Sequence, residues 1–311
     1  MADRALSKQP ARRSSLFERL RNRLRRNRDA APARQTRTAQ GGLASAAARP
    51  VGPPPDALTV RQWLFGPGYI IPGNADYVLE LVKPFHLGPA MTMLDMAAGL
   101  GGPAETIAGA FETYIAGFER DPELVRRASD AAVAHGLARH VQVKVYDPES
   151  FELRAGFYDH ALAREATYAV AQKERFLRVL NQAMKPSGQL IFTDFVRDRA
   201  AGDRPELAAW EAACRYKPQL WTAAQYTDCL KSLGFDLRIV TDVTADYRRM
   251  VLLTWQDFLQ SGELKHLRGA RAAPVIDVVE QDLRTVAALS SGALKFYYFV
   301  ALAGRRRAAI A

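Results

Sequence analysis

The stretch MLDMAAGLGGPAETIA, residues 93–108, joins an apolar strand to a helix through a loop that contains three glycines. Gly99, Gly101 and Gly102 permit backbone conformations that other residues avoid, and they let a ligand approach the main chain. Pro103 suits the first turn of the following helix, where its missing N–H would have no partner anyway. A strand, a glycine loop and a helix N-terminus in this order are typical of a nucleotide-type site in a doubly wound sheet.

Strands and helices alternate along the chain on both sides of this loop. We predict strands near residues 91–95, 113–119, 140–146, 157–163 and 188–194, with helices near 75–86, 103–111, 122–135 and 171–184. Helices follow at 205–215 and 222–233, then a strand at 235–243, a helical stretch at 247–288 and a last strand in ALKFYYFVALAG. Strands separated by helices indicate an α/β fold: a doubly wound, mostly parallel sheet with an antiparallel C-terminal edge strand and a helical cap insertion.

Composition divides the chain into parts. Residues 1–56 are rich in Ala, Arg, Pro and Ser and contain too little apolar surface to fold, so we predict disorder there. Within them, SLFERLRNRLRRNR at 15–28 has the pattern of a basic amphipathic helix. We expect a folded domain at 57–304, cap insertions at about 200–234 and 247–288, and a basic tail at 305–311.

The charge lies in the N-terminal tail. The chain has 43 Lys and Arg against 33 Asp and Glu, of which residues 1–50 hold 13 and 3, so the body is neutral. A neutral body lacks a phosphate track, which makes nucleic acid an unlikely partner. The tail could contact an anionic membrane, serve targeting or stay solvated. The two cysteines lack metal-ligand spacing and no apolar run is long enough for a membrane span, so we expect a cytoplasmic protein, peripheral to the inner membrane surface if the tail binds it.

Acidic residues follow three successive strands. The sequence GLGGPA satisfies a dinucleotide fingerprint, but Asp95 would repel a pyrophosphate at that position. S-adenosylmethionine carries a sulfonium and an ammonium group, and an acid beside the loop suits both. Glu119 ends the second strand, where a carboxylate can accept ribose hydroxyls, and Asp147 ends the third, where it could accept from the adenine amino group. The three acids favour S-adenosylmethionine as the cofactor, with no metal.

Four motifs, taken in order, resemble those of class I S-adenosylmethionine-dependent methyltransferases, and the resemblance covers roughly residues 60–303. The motifs are MLDMAAGLGG, GFERDPELVRRA, VYDP and LNQAMKPSGQLIFTDF. Two further segments are similar to segments of the phosphoethanolamine and related small-amine N-methyltransferases. They are WLFGPGYIIPGNADYVLELV and LWTAAQYTDCLKSLGFDLRIVTDVTADY. The resemblance implies methyl transfer to a small-molecule or lipid-type acceptor. It implies cofactor contacts at Asp95, Ala97, Gly99, Gly101, Glu119, Arg120, Asp147 and Arg164.

The sequence departs from the phosphobase group at the residue that assists proton transfer. In the phosphobase group a histidine after the fourth strand assists the proton transfer, whereas LAREATYAVAQ has Ala169 at that approximate place. We therefore nominate Glu165, Tyr168 and Asp194 as catalytic candidates. Aromatic residues could hold a methylated ammonium group and a basic residue could hold a phosphate. The acceptor-binding candidates are Tyr69, Tyr216, Trp221, Tyr247, Arg248 and Lys295, although aromatic residues in the cap could also serve packing alone.

Two other functions stay open at this point. The basic tail would suit a methyltransferase that acts on nucleic acid or protein. The missing histidine would suit a non-enzymatic, membrane-associated scaffold that binds the cofactor.

Overall fold

The computed structural model describes residues 55–261 and 272–304. The predicted helix at 15–28, nearly all of the N-terminal tail and the tail at 305–311 lie outside these residues. The helices are α1 Ala57–Phe65, α2 Ala75–Val82, α3 Gly102–Phe111, α4 Pro122–Ala134, α5 Lys173–Ala183, α6 Pro205–Ala213, α7 Ala223–Ser232, α8 Thr244–Gln260 and α9 Ala273–Ser290. The strands are β1 Thr92–Met96, β2 Tyr114–Glu119, β3 Val141–Val145, β4 Tyr158–Arg164, β5 Met184–Arg197, β6 Asp236–Asp242 and β7 Leu294–Leu302.

Seven strands form one sheet in the order β3-β2-β1-β4-β5-β7-β6. The pairs among β1 to β5 are parallel, and β7 is antiparallel to both of its neighbours. The predicted fold class is confirmed. The antiparallel C-terminal strand is the second strand from the edge and not the edge itself, because β6 pairs with its outer side from Asp236 to Asp242.

The burial of the last two strands agrees with this order. β7, LKFYYFVAL, is apolar and mostly buried, as expected for a strand with neighbours on both sides. β6, DLRIVTD, is polar and almost wholly exposed, which is typical of an edge strand. Charged residues on β6 also protect that edge from pairing with other chains.

Local sequence signals define several helix ends. Asn74 accepts a hydrogen bond from the Tyr77 backbone N–H and caps α2. Asp121 caps α4 by accepting from the Glu123 backbone N–H. Thr222 and Gln225 form a capping box at the start of α7. These caps satisfy backbone donors that the helices leave without internal partners.

A helical cap covers one end of the sheet. Helix α9 packs against α1, α6 and α8, and α1 also packs against α8. Helix α7, which we predicted within the cap, packs on the sheet instead, because Tyr226 and Leu230 are fully buried in the main core. The Tyr226 ring lies 5.6 Å from the Phe192 ring and 5.4 Å from the Phe299 ring. Within the described ranges, no helix combines the length and apolar character that a bilayer crossing requires.

Two glycines of the loop are explained by packing. The Gly102 N–H donates to the Gly68 carbonyl at 3.1 Å, and a Cβ on Gly102 would lie 2.6 Å from Gly68 backbone atoms. Gly101 adopts φ +83°, and a Cβ there would lie 3.2 Å from the Ala128 Cβ. Residue 102 must therefore be glycine for the segment before β1 to reach the start of α3.

We expect Gly102→Ala to lower the free energy of unfolding by about 1–3 kcal/mol, because the added methyl group overlaps backbone atoms that cannot move aside easily. Gly109→Ala in the same helix is the matched control, since nothing lies within 4 Å of its Cβ position. The control should raise stability by about 0.4–1 kcal/mol by reducing the entropy of the unfolded chain. Urea unfolding measures both, and equal effects would contradict the packing argument.

Candidate functional site

A cavity of about 390 Å³ lies between the C-terminal ends of the central strands and the cap. Its size is within the range of small-molecule sites. Eleven predicted site residues line it: Tyr69, Asp95, Ala97, Gly99, Glu119, Arg120, Arg164, Glu165, Tyr168, Tyr216 and Tyr247. Six do not line it: Gly101, Asp147, Asp194, Trp221, Arg248 and Lys295.

Two buried groups of opposite charge in the cavity wall each have an atom without a partner. Asp95, at the C-terminal end of β1, is 2% exposed, and its Oδ2 has no hydrogen-bond partner among the described residues. Arg164, at the end of the neighbouring strand β4, is 4% exposed. Its Nη2 donates to the Pro72 carbonyl at 2.6 Å and its guanidinium lies over the Tyr77 ring, but Nη1 has no partner among those residues. A buried charge without a partner is unfavourable unless a ligand completes it.

The environment of Asp95 also changes its acidity. Burial raises the pKa of Asp95 to about 7; the Arg164 charge opposes this shift and the Glu119 charge reinforces it. At neutral pH the free protein therefore holds this carboxyl group partly protonated. A cation at Asp95 Oδ2 would favour the ionised form.

Glu119, at the end of β2, is held by two backbone donors. Its Oε2 accepts from the Gly99 N–H at 3.0 Å and its Oε1 accepts from the Asp121 N–H at 3.1 Å. Each oxygen keeps a second lone pair, so the carboxylate can still accept two hydroxyl groups. The neighbouring Arg120 guanidinium lies 3.8 Å from the centre of the Tyr216 ring, at the same side of the cavity.

Two predicted cofactor contacts, Asp147 and Gly101, lie outside the cavity lining. Asp147 is exposed and forms its own turn, because it accepts from the Glu149 N–H at 3.0 Å and the Ser150 hydroxyl at 2.7 Å. Its neighbour Tyr146 is buried and lines the cavity in its place. Gly101 also lies outside the lining, and a Cβ at this position would face Ala128 of α4.

The other half of the cavity is formed by the loop after β4 and by the cap. Glu165 follows β4 with φ +52°, and its Oε1 accepts from the Tyr247 hydroxyl at 3.0 Å. Burial raises the pKa of Glu165 to about 7, despite the opposing Arg164 charge. The Tyr168 ring lies 5.7 Å from that of Phe195, and Trp210 contacts both rings, which gives an aromatic wall beside the carboxyl group.

Asp194, a predicted catalytic residue, lies behind the cavity wall. It is fully buried and accepts from the Thr167 N–H at 2.7 Å, the Thr167 hydroxyl and the Phe195 N–H at 2.8 Å. These bonds connect β5 to the loop that carries Glu165 and Tyr168. Asp194 therefore supports the loop, and it cannot contact a ligand directly.

Three predicted acceptor contacts are also corrected. Trp221 packs against Tyr226 on the sheet, with ring centres 5.2 Å apart. Lys295 bonds to Asp242 of the neighbouring strand at 3.3 Å. Arg248 follows Tyr247 on α8 but does not line the cavity, and its Nε is buried without a hydrogen-bond partner among the described residues.

Sequence reasoning missed a buried ion pair that lines the cap side of the cavity. Arg61 of α1 donates from Nη1 to Asp282 Oδ1 of α9 at 2.6 Å, and Trp255 Nε1 donates to Asp282 Oδ2 at 2.8 Å. Arg61 and Asp282 are 221 positions apart, so no local pattern connects them. In the part of the chain that the structure describes, no group of three or more His, Cys, Asp or Glu residues could hold a metal ion.

These positions are chemically complementary to an α-amino acid joined to a nucleoside. An α-ammonium group could donate to Asp95 Oδ2 and an α-carboxylate could accept from Arg164 Nη1. Glu119 could accept both hydroxyls of a ribose. A pyrophosphate would instead lie against two buried carboxylates, so the site fits S-adenosylmethionine better than a dinucleotide.

Comparison with known proteins agrees with this geometry. A family model described as a methyltransferase domain matches residues 68–240. Phosphoethanolamine N-methyltransferase 2 of Caenorhabditis elegans is 26% identical over 137 residues, which cover 44% of this chain and 31% of that protein. Phosphoethanolamine N-methyltransferase 1 of Arabidopsis thaliana is 24% identical over 185 residues, 60% of this chain and 36% of that protein. The chain thus spans about a third of the length of these relatives.

Among solved structures, phosphoethanolamine N-methyltransferase 2 of Haemonchus contortus, in complex with phosphomonomethylethanolamine and S-adenosylhomocysteine, superposes with a TM-score of 0.72. The two are 20% identical, and the alignment covers 80% of this chain and 57% of that one. This similarity shows a shared fold.

We expect Asp95→Asn to weaken binding of S-adenosylhomocysteine about 10- to 150-fold, because a hydrogen bond to a charged group contributes about 1.5–3 kcal/mol. 5′-Methylthioadenosine lacks the amino-acid portion and is the matched control ligand. Its affinity should be the same for both proteins in isothermal titration calorimetry. An equal loss for the two ligands would show that Asp95 does not contact the amino-acid portion.

Proposed function

We propose, since the chain belongs to the methyltransferase domain family, that it transfers the methyl group of S-adenosylmethionine to a nitrogen atom of a small-molecule acceptor. The observation that carries this proposal is the pair of buried, unpartnered atoms, Asp95 Oδ2 and Arg164 Nη1. They match the opposite charges of the methionine portion. S-adenosylmethionine supplies a methyl group bonded to a positively charged sulfur, which the acceptor nitrogen displaces in line.

The protein holds the cofactor from three strand ends. Asp95 accepts from the α-ammonium, and Arg164 donates to the α-carboxylate. Glu119 accepts from the ribose hydroxyls while its own backbone bonds keep the carboxylate in place. The adenine would lie near Tyr146 and Pro148, which line the same side of the cavity. A cofactor held in this way would have its methyl group toward the end of the cavity that Glu165 and the cap line.

Glu165 is our candidate for the proton acceptor. An amine must be neutral to attack, and an N–H amine loses a proton once the new C–N bond has formed and the C–S bonding pair has moved to sulfur. A carboxylate whose pKa lies near 7 can take that proton at neutral pH. Tyr247 already donates to Oε1, which leaves Oε2 for the acceptor nitrogen. Ala169 also lines the cavity, so the histidine of the phosphobase group has no counterpart at that position.

A nitrogen acceptor is supported by the two curated relatives described above, both of which are named N-methyltransferases. The size of the site supports a small acceptor, because the cavity between the cap helices and the sheet has a volume of about 390 Å³. A lipid-type acceptor and membrane contact rest on the N-terminal sequence alone, outside the described residues, and stay predictions. Methylation of nucleic acid or protein rests on the same tail.

The test is methyl transfer to a panel of small primary and secondary amines, detected by mass spectrometry, for the wild type and Glu165→Gln. We expect wild-type kcat/KM, measured with saturating S-adenosylmethionine and corrected for the neutral fraction of each amine, to fall about tenfold per pH unit below pH 7, because the acidic form of Glu165 cannot accept a proton. In Glu165→Gln this remaining dependence should disappear, and the rate at pH 8 should be at least about a hundredfold lower than that of the wild type.

Glu174→Gln is the matched control, since Glu174 is exposed and pairs with Arg178 on the surface. It should keep the wild-type rate and pH profile. Both variants should bind S-adenosylhomocysteine normally. A Glu165→Gln protein with an unchanged rate and profile would remove Glu165 from the mechanism, and transfer to no amine would contradict the proposed acceptor class.

A further inference from the structure

The acceptor end of the cavity contains a buried ion pair that connects two cap helices. Arg61 and Asp282 both line the cavity, and their side chains are only 12% and 8% exposed. The pair joins α1 to α9 at 2.6 Å. Glu165 is close enough for the Arg61 charge to lower its pKa, so the pair and the candidate base share one electrostatic environment.

The pair is satisfied by the protein itself. Arg61 Nη2 donates to Gln281 Oε1 at 3.0 Å, in addition to the bond from Nη1 to Asp282. The second oxygen of Asp282 accepts from Trp255 Nε1 at 2.8 Å. The guanidinium charge is therefore neutralised in place. A ligand anion could use it only by competing with a buried carboxylate.

The other cationic residues of the described cavity wall are also engaged. Arg215 pairs with Asp121 at 2.5 Å, and Arg120 lies on the face of Tyr216. Arg164 is fixed on the Pro72 carbonyl and, in the proposed function, faces the cofactor carboxylate. Arg120 and Arg164 have no carboxylate partner among the described residues, but both lie on the cofactor side of the cavity, beside Glu119 and Asp95. The acceptor end instead presents the carboxyl groups of Glu165 and Asp282, which disfavour a phosphate.

The rest of the acceptor end is aromatic. Phe195 lies at the centre, with the ring of Trp210 at 5.1 Å and the ring of Tyr247 at 5.5 Å. Tyr168 contacts Phe195 and Trp210 as well. Such rings suit an apolar body and a cationic amine, and the hydroxyl and indole N–H groups that they carry are neutral donors, which hold a phosphate less strongly than a cation would.

We propose that the Arg61–Asp282 pair makes this cavity select amines without a phosphate or other anionic group, and that Asp282 is the residue that determines the selectivity. The inference rests on the proposed function, since it takes this end of the cavity as the acceptor site. The acceptor class is then an amine with an apolar or aromatic body. In this respect the chain differs from the phosphoethanolamine N-methyltransferases to which it is similar.

The test uses the protein saturated with S-adenosylhomocysteine and measures amine binding by calorimetry. Phenethylamine represents an apolar amine, and phosphoethanolamine represents a phosphorylated one. The wild type should bind phenethylamine at least tenfold more tightly than phosphoethanolamine. Asp282→Asn keeps an oxygen for Trp255 but frees the Arg61 charge, so it should bind phosphoethanolamine at least tenfold more tightly than the wild type. The double variant Arg61→Met, Asp282→Asn should lose that gain.

Wild-type preference for phosphoethanolamine, or no binding of either amine, would overturn the inference. An Asp282→Asn protein that folds, binds S-adenosylhomocysteine normally and gains no phosphoethanolamine affinity would overturn it too. The affinities of the wild type for phenethylamine and phosphoethanolamine can be compared without any variant. The inference therefore stays testable even if the Asp282→Asn protein does not fold. Failure of the proposed function would be visible separately, as absent S-adenosylhomocysteine binding or absent methyl transfer to an amine that does bind.

Discussion

The site depends on two opposite charges that the fold buries and leaves incomplete. Asp95 and Arg164 end adjacent parallel strands, β1 and β4, at the place where the strand order of the sheet reverses. Leaving a buried ion without a full set of partners costs on the order of a few kcal/mol. Because each group has an atom without a partner in the described protein, a ligand with an ammonium and a carboxylate can contribute what the fold does not.

The surrounding structure keeps these charges in place. Backbone bonds to Gly99 and Asp121 fix Glu119, and the Pro72 carbonyl fixes Arg164. Thr167 and Asp194 support the loop after β4 from behind. Close backbone contact between Gly68 and Gly102 holds the segment before β1 against α3. Of these residues, Glu119 and Arg164 are proposed to contact the ligand. The others limit the movement of residues that line the cavity.

Much of this could be predicted from local sequence. Alternating apolar segments identified the strands and helices, and acids at strand ends identified Asp95 and Glu119. Proximity in sequence was a poor guide elsewhere. Asp147 bonds within its own turn while its neighbour Tyr146 lines the cavity, and Tyr247 lines the cavity while its neighbour Arg248 does not. The Arg61–Asp282 pair joins opposite ends of the domain, and only the packing of α1 against α9 brings it together.

The most direct test of the central claim is the number of protons released when S-adenosylhomocysteine binds at pH 7, measured by calorimetry in buffers of different ionisation enthalpy. Burial raises the pKa of Asp95 to about 7 in the free protein, so part of the population is protonated at neutral pH, and a bound ammonium should shift this carboxyl group toward its ionised form. We therefore predict a net release of protons on binding, which the Asp95→Asn protein should lack. Binding without proton release, or equal release from Asp95→Asn, would contradict the claim that Asp95 binds the cofactor's ammonium group.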